Sequence, residues 1–161
     1  MSKLKMILPL GDPRLYTKAV SVKKEEVNEL KTSTDDLHDI ILEFRKKYNA
    51  GRAIAAPQIG LMKRIICMNI DKPVVMYNPE LSNLSEEMIE LWDDCMCFPN
   101  LLVRLKRHRS ITLSFLDENW EQQTWDLKDD LSELIQHEYD HLEGILATQR
   151  ALDDKSFKWR V

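Results

Sequence analysis

The segment His-Glu-Tyr-Asp-His at residues 137–141 constrains the fold of this chain more than any other stretch. Its histidines are four positions apart, so on a helix they present their imidazoles to the same point in space. Two imidazoles that meet at one point suit a metal ion, and Glu138 is placed to act as a general base on water at that metal. The alternative is a pair of surface histidines on an acidic helix. Because Leu134, Ile135 and Leu142 flank the motif, this face is expected to point inward, which favours a metal site.

A third protein ligand is needed, because two histidines leave a catalytic metal one ligand short. No further histidine or acid follows at the spacing familiar from other proteins with this motif, so the third ligand must come from elsewhere in the chain. Cys95 follows a predicted strand and could project a thiolate from its end. Cys97 competes for the same role, and an inert buried cysteine is the alternative reading of either residue.

The hydrophobic pattern predicts an α+β fold with mostly antiparallel strands. Apolar residues at helical spacing predict a first helix over residues 34–48, capped by Ser33 or Thr34, and a second over residues 131–142. Residues 51–58 are rich in small side chains and broken by a proline, which predicts a shaped loop. Short apolar or β-branched segments predict strands at residues 64–70, 74–77, 88–92 and 110–115, with a further strand ending near residue 125.

Length and composition predict a single domain that spans residues 1–161. The chain is 43% hydrophobic, which is enough to bury one core, and no linker divides it. Its formal charge of -4 comes from mixed acidic and basic residues, so direct nucleic-acid binding is not expected. The three cysteines make a poor basis for a disulfide framework. Without a secretory signal or a membrane-length apolar stretch, the chain is expected to be cytoplasmic and not attached to a membrane.

Three motifs, in the same order, resemble those of the peptide deformylase family. The family's first motif, a glycine-containing loop that ends in Ala-Ala-Pro-Gln, is similar to residues 51–58. The second, Glu-Gly-Cys-Leu-Ser, is similar to residues 93–97, and the third, Gln-His-Glu-x-Asp-His-Leu, to residues 136–142. Residues 10–15 and 77–79 also look like family features, so the resemblance covers nearly the whole chain. It implies a fold in which antiparallel sheets pack around a central metal-binding helix.

The resemblance also implies the metal site and the reaction. The implied ligands of one divalent metal are Cys95, His137 and His141. By that resemblance Cys97 is not a ligand, and Fe(II) is the native ion, replaceable by nickel, cobalt or zinc; the ligand types alone would have suggested zinc. Glu138 would take a proton from water and return it to the leaving amine, while the Gln58 amide and the Met96 backbone N–H stabilise the oxyanion.

The implied substrate is a nascent peptide that begins with formyl-methionine. Hydrolysis would release formate and leave a free amino terminus. A formylated peptide is therefore the expected partner, with the ribosome as a candidate place of encounter. The protein is expected to act as a monomer.

The chain departs from the family pattern where substrate should bind. The implied substrate-binding residues are Gly51, Arg52, Ala53, Ile54, Asp93, Glu133 and Leu134. Ala53 stands where the family usually has a second glycine, so its methyl group crowds a close backbone approach. Arg52 replaces a small apolar residue, and Glu133 occupies a position that commonly helps line the methionine pocket. These two side chains either pair and offer their aliphatic stems as pocket wall, or select a more polar formylated substrate.

The second motif differs at Asp93, Asp94 and Cys97, where the family usually has Glu, Gly and Ser. Asp94 is expected to stiffen and charge the backbone beside the thiolate. In the family the motif-two acid pairs with a downstream arginine, and an ungapped count places that arginine at Arg107, with Asp93 as a shorter partner; two solvated charges are the alternative. Asp140 is expected either to orient a ligand imidazole or to cap exposed helix surface. His108 is expected on the surface.

Three alternatives to a deformylase of formyl-methionyl peptides are open. One is a divergent paralogue that removes a formyl or other small acyl group from a different amine. Another is a zinc endopeptidase, although the thiolate ligand and residues 51–58 argue against it. The third is a non-catalytic metal-binding or ribosome-associated module, suggested by the altered motifs and the basic run at residues 104–109. Since the three metal ligands and Glu138 are retained together, an active enzyme is favoured.

Overall fold

The computed structural model describes residues 1–161 as two α-helices, eight strands and five short 3-10 helical turns. The helices are α1, Lys31–Tyr48, and α2, Asp130–Leu142. The strands are β1, Ala53–Ala55; β2, Ile65–Asn69; β3, Pro73–Ser82; β4, Met88–Asp93; β5, Leu101–His108; β6, Ser110–Leu116; β7, Gln122–Lys128; and β8, Phe157–Trp159. The α+β class predicted from the sequence is confirmed.

The strands form two antiparallel sheets. One sheet has five strands in the order β1-β2-β3-β6-β7, and the other has three in the order β4-β5-β8. Every strand pair within these sheets is antiparallel. β3 pairs with β2 over residues 73–77 and with β6 from Tyr77 to Ser82, and its pairing with β6 shifts register between Tyr77 and Glu80. The mostly antiparallel arrangement agrees with the prediction.

Three strands lie where the sequence did not predict any: β1, β5 and β8, the last of which pairs with residues 101–103 of β5. β1 falls inside residues 51–58, which were expected to form a loop, because its backbone pairs with β2 and its three small residues are all buried. β5 was not predicted because it overlaps the basic run at residues 104–109. In that strand Val103, Leu105 and Arg107 are buried, whereas the residues between them are not. The inward arginine disguised the alternation of apolar and polar residues that marks a half-buried strand.

α1 covers one side of the five-stranded sheet. It begins at Lys31, one turn earlier than predicted, and Leu30 occupies the position before it without a side-chain cap. The expected cap, Thr34, lies inside the first turn, where its hydroxyl donates to the Lys31 carbonyl at 2.9 Å. Asn49 ends the helix in the left-handed conformation, with φ 55°. The buried face packs into a core with β1 and β2, and its residues are Thr34, Leu37, Ile40, Ile41 and Phe44.

α2 lies between the two sheets. It contacts β1, β2 and β7 of the larger sheet and β5 of the smaller one. Ile135 and Leu142 are fully buried in a core with residues of β2, β3, β6 and β7. Gly144 follows the helix with φ +72°, and a Cβ there would lie 2.7 Å from the Tyr16 backbone, so only glycine fits. The expected central helix is therefore confirmed. Neither α1 nor α2 combines the length and the apolar character that crossing a membrane requires.

Candidate metal centre

Three buried side chains converge beside α2. The ligand atoms of Cys95, His137 and His141 all lie within 4.8 Å of one another. Helical spacing brings the two imidazoles together with ring centroids 5.1 Å apart, while the end of β4 brings Cys95, whose Sγ lies 3.4 Å from His141 Nε2. Cys97 is also buried but does not belong to this cluster. The structure thus brings together the three residues that the sequence resemblance implied as metal ligands.

These side chains fit a divalent metal. Burial, followed by the neighbouring Cys97, raises the pKa of the Cys95 thiol well above its usual value, so a thiolate needs a cation beside it. Burial lowers the pKa of His141 well below its usual value, which keeps that imidazole neutral and able to bind a metal. A thiolate and two imidazoles are donors that Zn(II), Fe(II), Ni(II) and Co(II) accept. The donor set is therefore suited to one such ion.

Asp93 holds one of the two imidazoles. Its carboxylate accepts a hydrogen bond from His137 Nδ1 at 2.8 Å, which leaves Nε2 of that ring free to face the cluster. Burial alone would lower the pKa of His137, but the Asp93 charge outweighs it and raises the pKa to about 9. An imidazole anchored in this way is fixed in orientation and is a stronger ligand. This contact was not predicted from the sequence, although an acid two residues before Cys95 was the available signal.

Arg107 joins Asp93 to Asp140 in the interior. Its Nη2 donates to Asp93 at 2.9 Å and its Nη1 to Asp140 at 3.0 Å, and the guanidinium side chain is 3% exposed. Burial would raise the pKa of Asp93, but His137 and Arg107 together hold it well below its usual range. Asp93 and Arg107 thus form a buried ion pair rather than two solvated charges.

Asp140 is bound by two arginines. It contacts no imidazole and is not exposed helix surface; its buried carboxylate accepts hydrogen bonds from Arg107 and Arg150. The reason is that Asp140 points from α2 toward β5, where Arg107 lies, while Asp93 already occupies Nδ1 of His137. The expectation that Asp140 lies on exposed helix surface was therefore wrong, and its only link to a ligand imidazole runs through Arg107 and Asp93.

Two other polar residues also differ from expectation. His108 is half-buried, with Nδ1 2.7 Å from the Ser85 carbonyl oxygen, because it ends a strand and does not lie in an exposed loop. Asp94 does add a charge beside Cys95, but Arg160 forms an ion pair with it at the surface. The extra negative charge in the second motif is therefore balanced locally.

Glu138 lies next to the cluster with a free oxygen. The residue is 4% exposed, and its Oε2 has no hydrogen-bond partner within the protein. Burial raises the pKa of Glu138 to about 7. A carboxyl group that titrates near neutral pH can both accept and return a proton.

Gln58 and Met96 offer N–H groups at the same place. Gln58 Oε1 accepts a hydrogen bond from the Ala55 backbone at 2.8 Å, which fixes the amide so that Nε2 points at Cys95 Sγ, 3.6 Å away. Nε2 also lies 3.5 Å from Cys97 Sγ. The Met96 side chain packs into the core beneath α1, and its backbone N–H makes no hydrogen bond within the protein. Within the protein, Gln58 Nε2 thus donates only to the two thiol sulfurs, whereas the Met96 N–H has no acceptor.

A cleft of about 510 Å³ opens beside Glu138. Six of the expected substrate-binding residues line it: Gly51, Arg52, Ala53, Asp93, Glu133 and Leu134. Ile54 does not line the cleft, because successive strand residues point to opposite faces and its side chain is fully buried in the core with α1. Of the seven residues expected to bind substrate, Ile54 is the one whose side chain points away from the cleft.

Arg52 and Glu133 pair across this cleft. Arg52 Nη2 lies 2.9 Å from Glu133 Oε1, and Nη1 lies 3.4 Å from the exposed Asp130. The Glu133 side chain is 13% exposed and that of Arg52 is 37% exposed. The structure contains the Arg52–Glu133 pair, which was the first of the two expectations for these residues. The charged groups face each other, and the aliphatic parts of the two side chains form part of the cleft wall.

The match to a known family covers almost the entire chain. Residues 4–157 match the model of the family described as polypeptide deformylase. The chain belongs to the polypeptide deformylase family. The peptide deformylase of Dictyoglomus thermophilum is 34% identical over 94% of this chain and 95% of the relative. The peptide deformylase of Pseudothermotoga lettingae is 35% identical over 89% of this chain and 80% of the relative.

Solved structures of the family share the fold. The peptide deformylase of Thermotoga maritima is 28% identical, with a TM-score of 0.83 over 91% of this chain and 97% of that one. A Synechococcus elongatus peptide deformylase in complex with actinonin is 26% identical, with a TM-score of 0.82 over 92% of this chain and 79% of that one. Family, fold and enzyme class, each predicted from the motifs, are confirmed. Family members are metal-dependent, which agrees with the Cys-His-His cluster.

Proposed function

We propose that Cys95, His137 and His141 bind the metal with which this enzyme removes formyl groups. As a member of its family, the chain hydrolyses the N-terminal formyl group of nascent peptides, the reaction that the motifs predicted. Neither a paralogue with another acyl substrate nor a non-catalytic module is favoured. One observation carries the residue assignment: three buried ligand atoms within 4.8 Å of one another, beside a buried glutamate with a free oxygen.

We propose Fe(II) as the resident ion, with zinc, nickel or cobalt as possible substitutes. When bound, a divalent metal would supply a Lewis acid that makes water easier to ionise and polarises the formyl carbonyl. The chemistry that the protein itself contributes comes from the residues around that point. Glu138 accepts and returns the proton, while Gln58 and Met96 bind the formyl oxygen as it becomes negatively charged.

Glu138 acts first as a base and then as an acid. Its free Oε2 takes one proton from the attacking water, whose oxygen forms the new bond to the formyl carbon. The same proton is then given to the amine nitrogen as the carbon–nitrogen bond breaks. Formate and a free amino terminus are the products. A pKa near 7 suits both transfers at neutral pH.

Gln58 and Met96 stabilise the tetrahedral transition state. The Gln58 amide is already fixed by Ala55, so its Nε2–H does not have to reorganise when negative charge develops. The Met96 N–H is unpaired and can donate to the same oxygen. Donors prepared in this way contribute more to the transition state than to the ground state.

The cleft binds the methionine side chain of the formylated peptide. Gly51, Ala53 and Leu134 give it apolar wall, and the Arg52–Glu133 pair adds aliphatic stems once its charges satisfy each other. The buried pairs of Arg107 with Asp93 and Asp140 support the metal site from behind.

The rest of the proposal concerns the whole protein. Residues 1–161 act as one catalytic domain, as a monomer, on nascent chains in the cytoplasm. The ribosome is the place of encounter, and a short formylated peptide is a sufficient substrate. Sedimentation of the purified protein, alone and with ribosomes, measures its assembly state and its association with ribosomes.

Formate release tests the proposed residues. Protein loaded anaerobically with Fe(II) is mixed with a formyl-methionyl peptide, beside a Glu138→Gln variant whose metal content is measured. We expect rapid turnover by the wild type, and metal-loaded but inactive Glu138→Gln protein. Turnover by the variant at the wild-type rate would refute the role of Glu138. A metal-loaded wild type that releases no formate would refute the methionine substrate, and other formylated amines would then be assayed.

A further inference from the structure

Arg150 reaches the metal centre through charged side chains but lies outside the three motifs. It ends the short 3-10 turn Ala147–Arg150, which follows α2. Its Nε lies 2.5 Å from Asp140 Oδ2 and its Nη2 lies 2.8 Å from Asp140 Oδ1. The contact therefore has the two-pronged geometry in which a guanidinium fixes a carboxylate in direction as well as in charge.

The contact continues a row of alternating charges that ends at a metal ligand. From the surface inward, the row consists of Arg150, Asp140, Arg107, Asp93 and His137. Each neighbouring pair is joined by a hydrogen bond of 3.0 Å or less. Arg150 is 43% exposed, whereas the other four side chains are at most 9% exposed. The row thus connects a half-exposed arginine to the imidazole of a buried ligand.

The charge balance of this row depends on Arg150. Arg107 shares its two Nη atoms between Asp93 and Asp140. Without Arg150, Asp140 would keep only one charged partner and would attract Arg107 more strongly. A shift of Arg107 toward Asp140 would weaken its bond to Asp93, and Asp93 would then hold Nδ1 of His137 less firmly. In a buried site such imbalances are poorly screened.

We propose that Arg150 is a positioning residue for the metal centre. It fixes Asp140, and through Arg107 and Asp93 it fixes the imidazole of His137. The inference rests on the proposed metal site. Removing a group that directly contacts a metal ligand costs about 10- to 100-fold in metal affinity. Since Arg150 acts through three intervening side chains, we expect a loss of about 3- to 10-fold.

Substitution of Arg150 should leave the fold intact. Arg107, Asp140 and Arg150 line a cleft of about 450 Å³ on the side of α2 away from the substrate cleft. Water in this cleft can solvate Asp140 once the arginine is gone, which spares the protein an unpaired buried charge. Arg109 offers a matched control. It is 36% exposed and also contacts two carboxylates, those of Glu87 and Asp129, but no contact links it to His137.

Metal affinity is the measurement that tests this proposal. Metal-free protein is titrated with Co(II) against a chelator, for the wild type and for Arg150→Gln, Arg150→Lys and Arg109→Gln. The absorption spectrum of each Co(II)-loaded protein and the melting temperature of each metal-free protein are also recorded. We expect Arg150→Gln to bind Co(II) about 3- to 10-fold more weakly, with an altered spectrum, a reduced kcat and an unchanged KM. Arg109→Gln should match the wild type, and Arg150→Lys should recover part of the loss because it keeps the charge.

Several outcomes would overturn it. Wild-type affinity and spectrum in Arg150→Gln would show that Arg150 does not act on the metal centre. An equal loss in Arg109→Gln would show a general effect of lost surface charge. An Arg150→Lys variant no better than Arg150→Gln would contradict the charge balance. Failure of the proposed function looks different, because the wild type itself would then bind no Co(II) or release no formate.

Discussion

Replacement of Arg107 by leucine tests whether the buried ion-pair row stabilises the fold around the metal centre. The change removes a guanidinium that is 3% exposed and leaves two carboxylates, Asp93 and Asp140, without it. Asp93 keeps His137 and Asp140 keeps Arg150, so neither acid loses every partner. Removing one partner of a buried ion pair lowers the free energy of unfolding by about 3–5 kcal/mol. Because each acid keeps one partner, we expect Arg107→Leu to lose about 3 kcal/mol.

The expected loss of stability is large enough to measure by thermal unfolding. In a domain of this size, 1 kcal/mol lowers the melting temperature by about 2–4 °C, so Arg107→Leu should melt about 6–12 °C below the wild type. The measurement is made on metal-free protein so that metal binding does not contribute. Arg109→Leu is the control, since its 36% exposed pairs contribute only about 0–1 kcal/mol. Equal melting temperatures for the two variants would show that the buried ion pairs of Arg107 do not stabilise the fold.

Two further predictions concern catalysis and the substrate cleft. Gln58→Ala should lower kcat for a formyl-methionyl peptide by about 10²- to 10³-fold with little change in KM, because one prepared oxyanion donor is lost. Steady-state formate release measures both constants, and an unchanged kcat would exclude the donor role of Gln58. Arg52→Met combined with Glu133→Leu should bind the peptide at least as well as the wild type, whereas Glu133→Leu alone should bind it more weakly, since Arg52 then keeps only the exposed Asp130 as a partner. The KM values of the wild type, the two single variants and the double variant measure the coupling. Additive effects would show that the two side chains do not act together as one wall.

Local patterns in the sequence were enough for part of the site. The spacing of His137 and His141 needs only helix geometry, and the apolar residues beside them place that helix inside the protein. Family motifs then supplied Cys95, which spacing alone could not separate from Cys97. The core helix, the antiparallel sheets and the ligand cluster follow from these signals.

The rest of the site depends on contacts between residues distant in sequence. Arg107 faces inward because two buried acids meet it there, and that inward arginine hid β5 in a run of basic residues. Arg150 and Asp140 are ten positions apart, and nothing local marks them as partners. Small residues masked β1, since its stability comes from pairing with β2 and from burial, not from β propensity. Such features become visible only when the elements are assembled.

X-ray absorption at the metal edge identifies the atoms that bind the metal. The protein is reconstituted with one equivalent of Fe(II) or Co(II), and the spectrum is compared with that of a Cys97→Ser variant, which removes the competing thiol. We expect one sulfur and two imidazole nitrogens bound to the metal, with the same spectrum in both proteins. Two sulfur ligands, loss of the sulfur signal in Cys97→Ser, or a metal without sulfur would contradict the assignment of Cys95, His137 and His141.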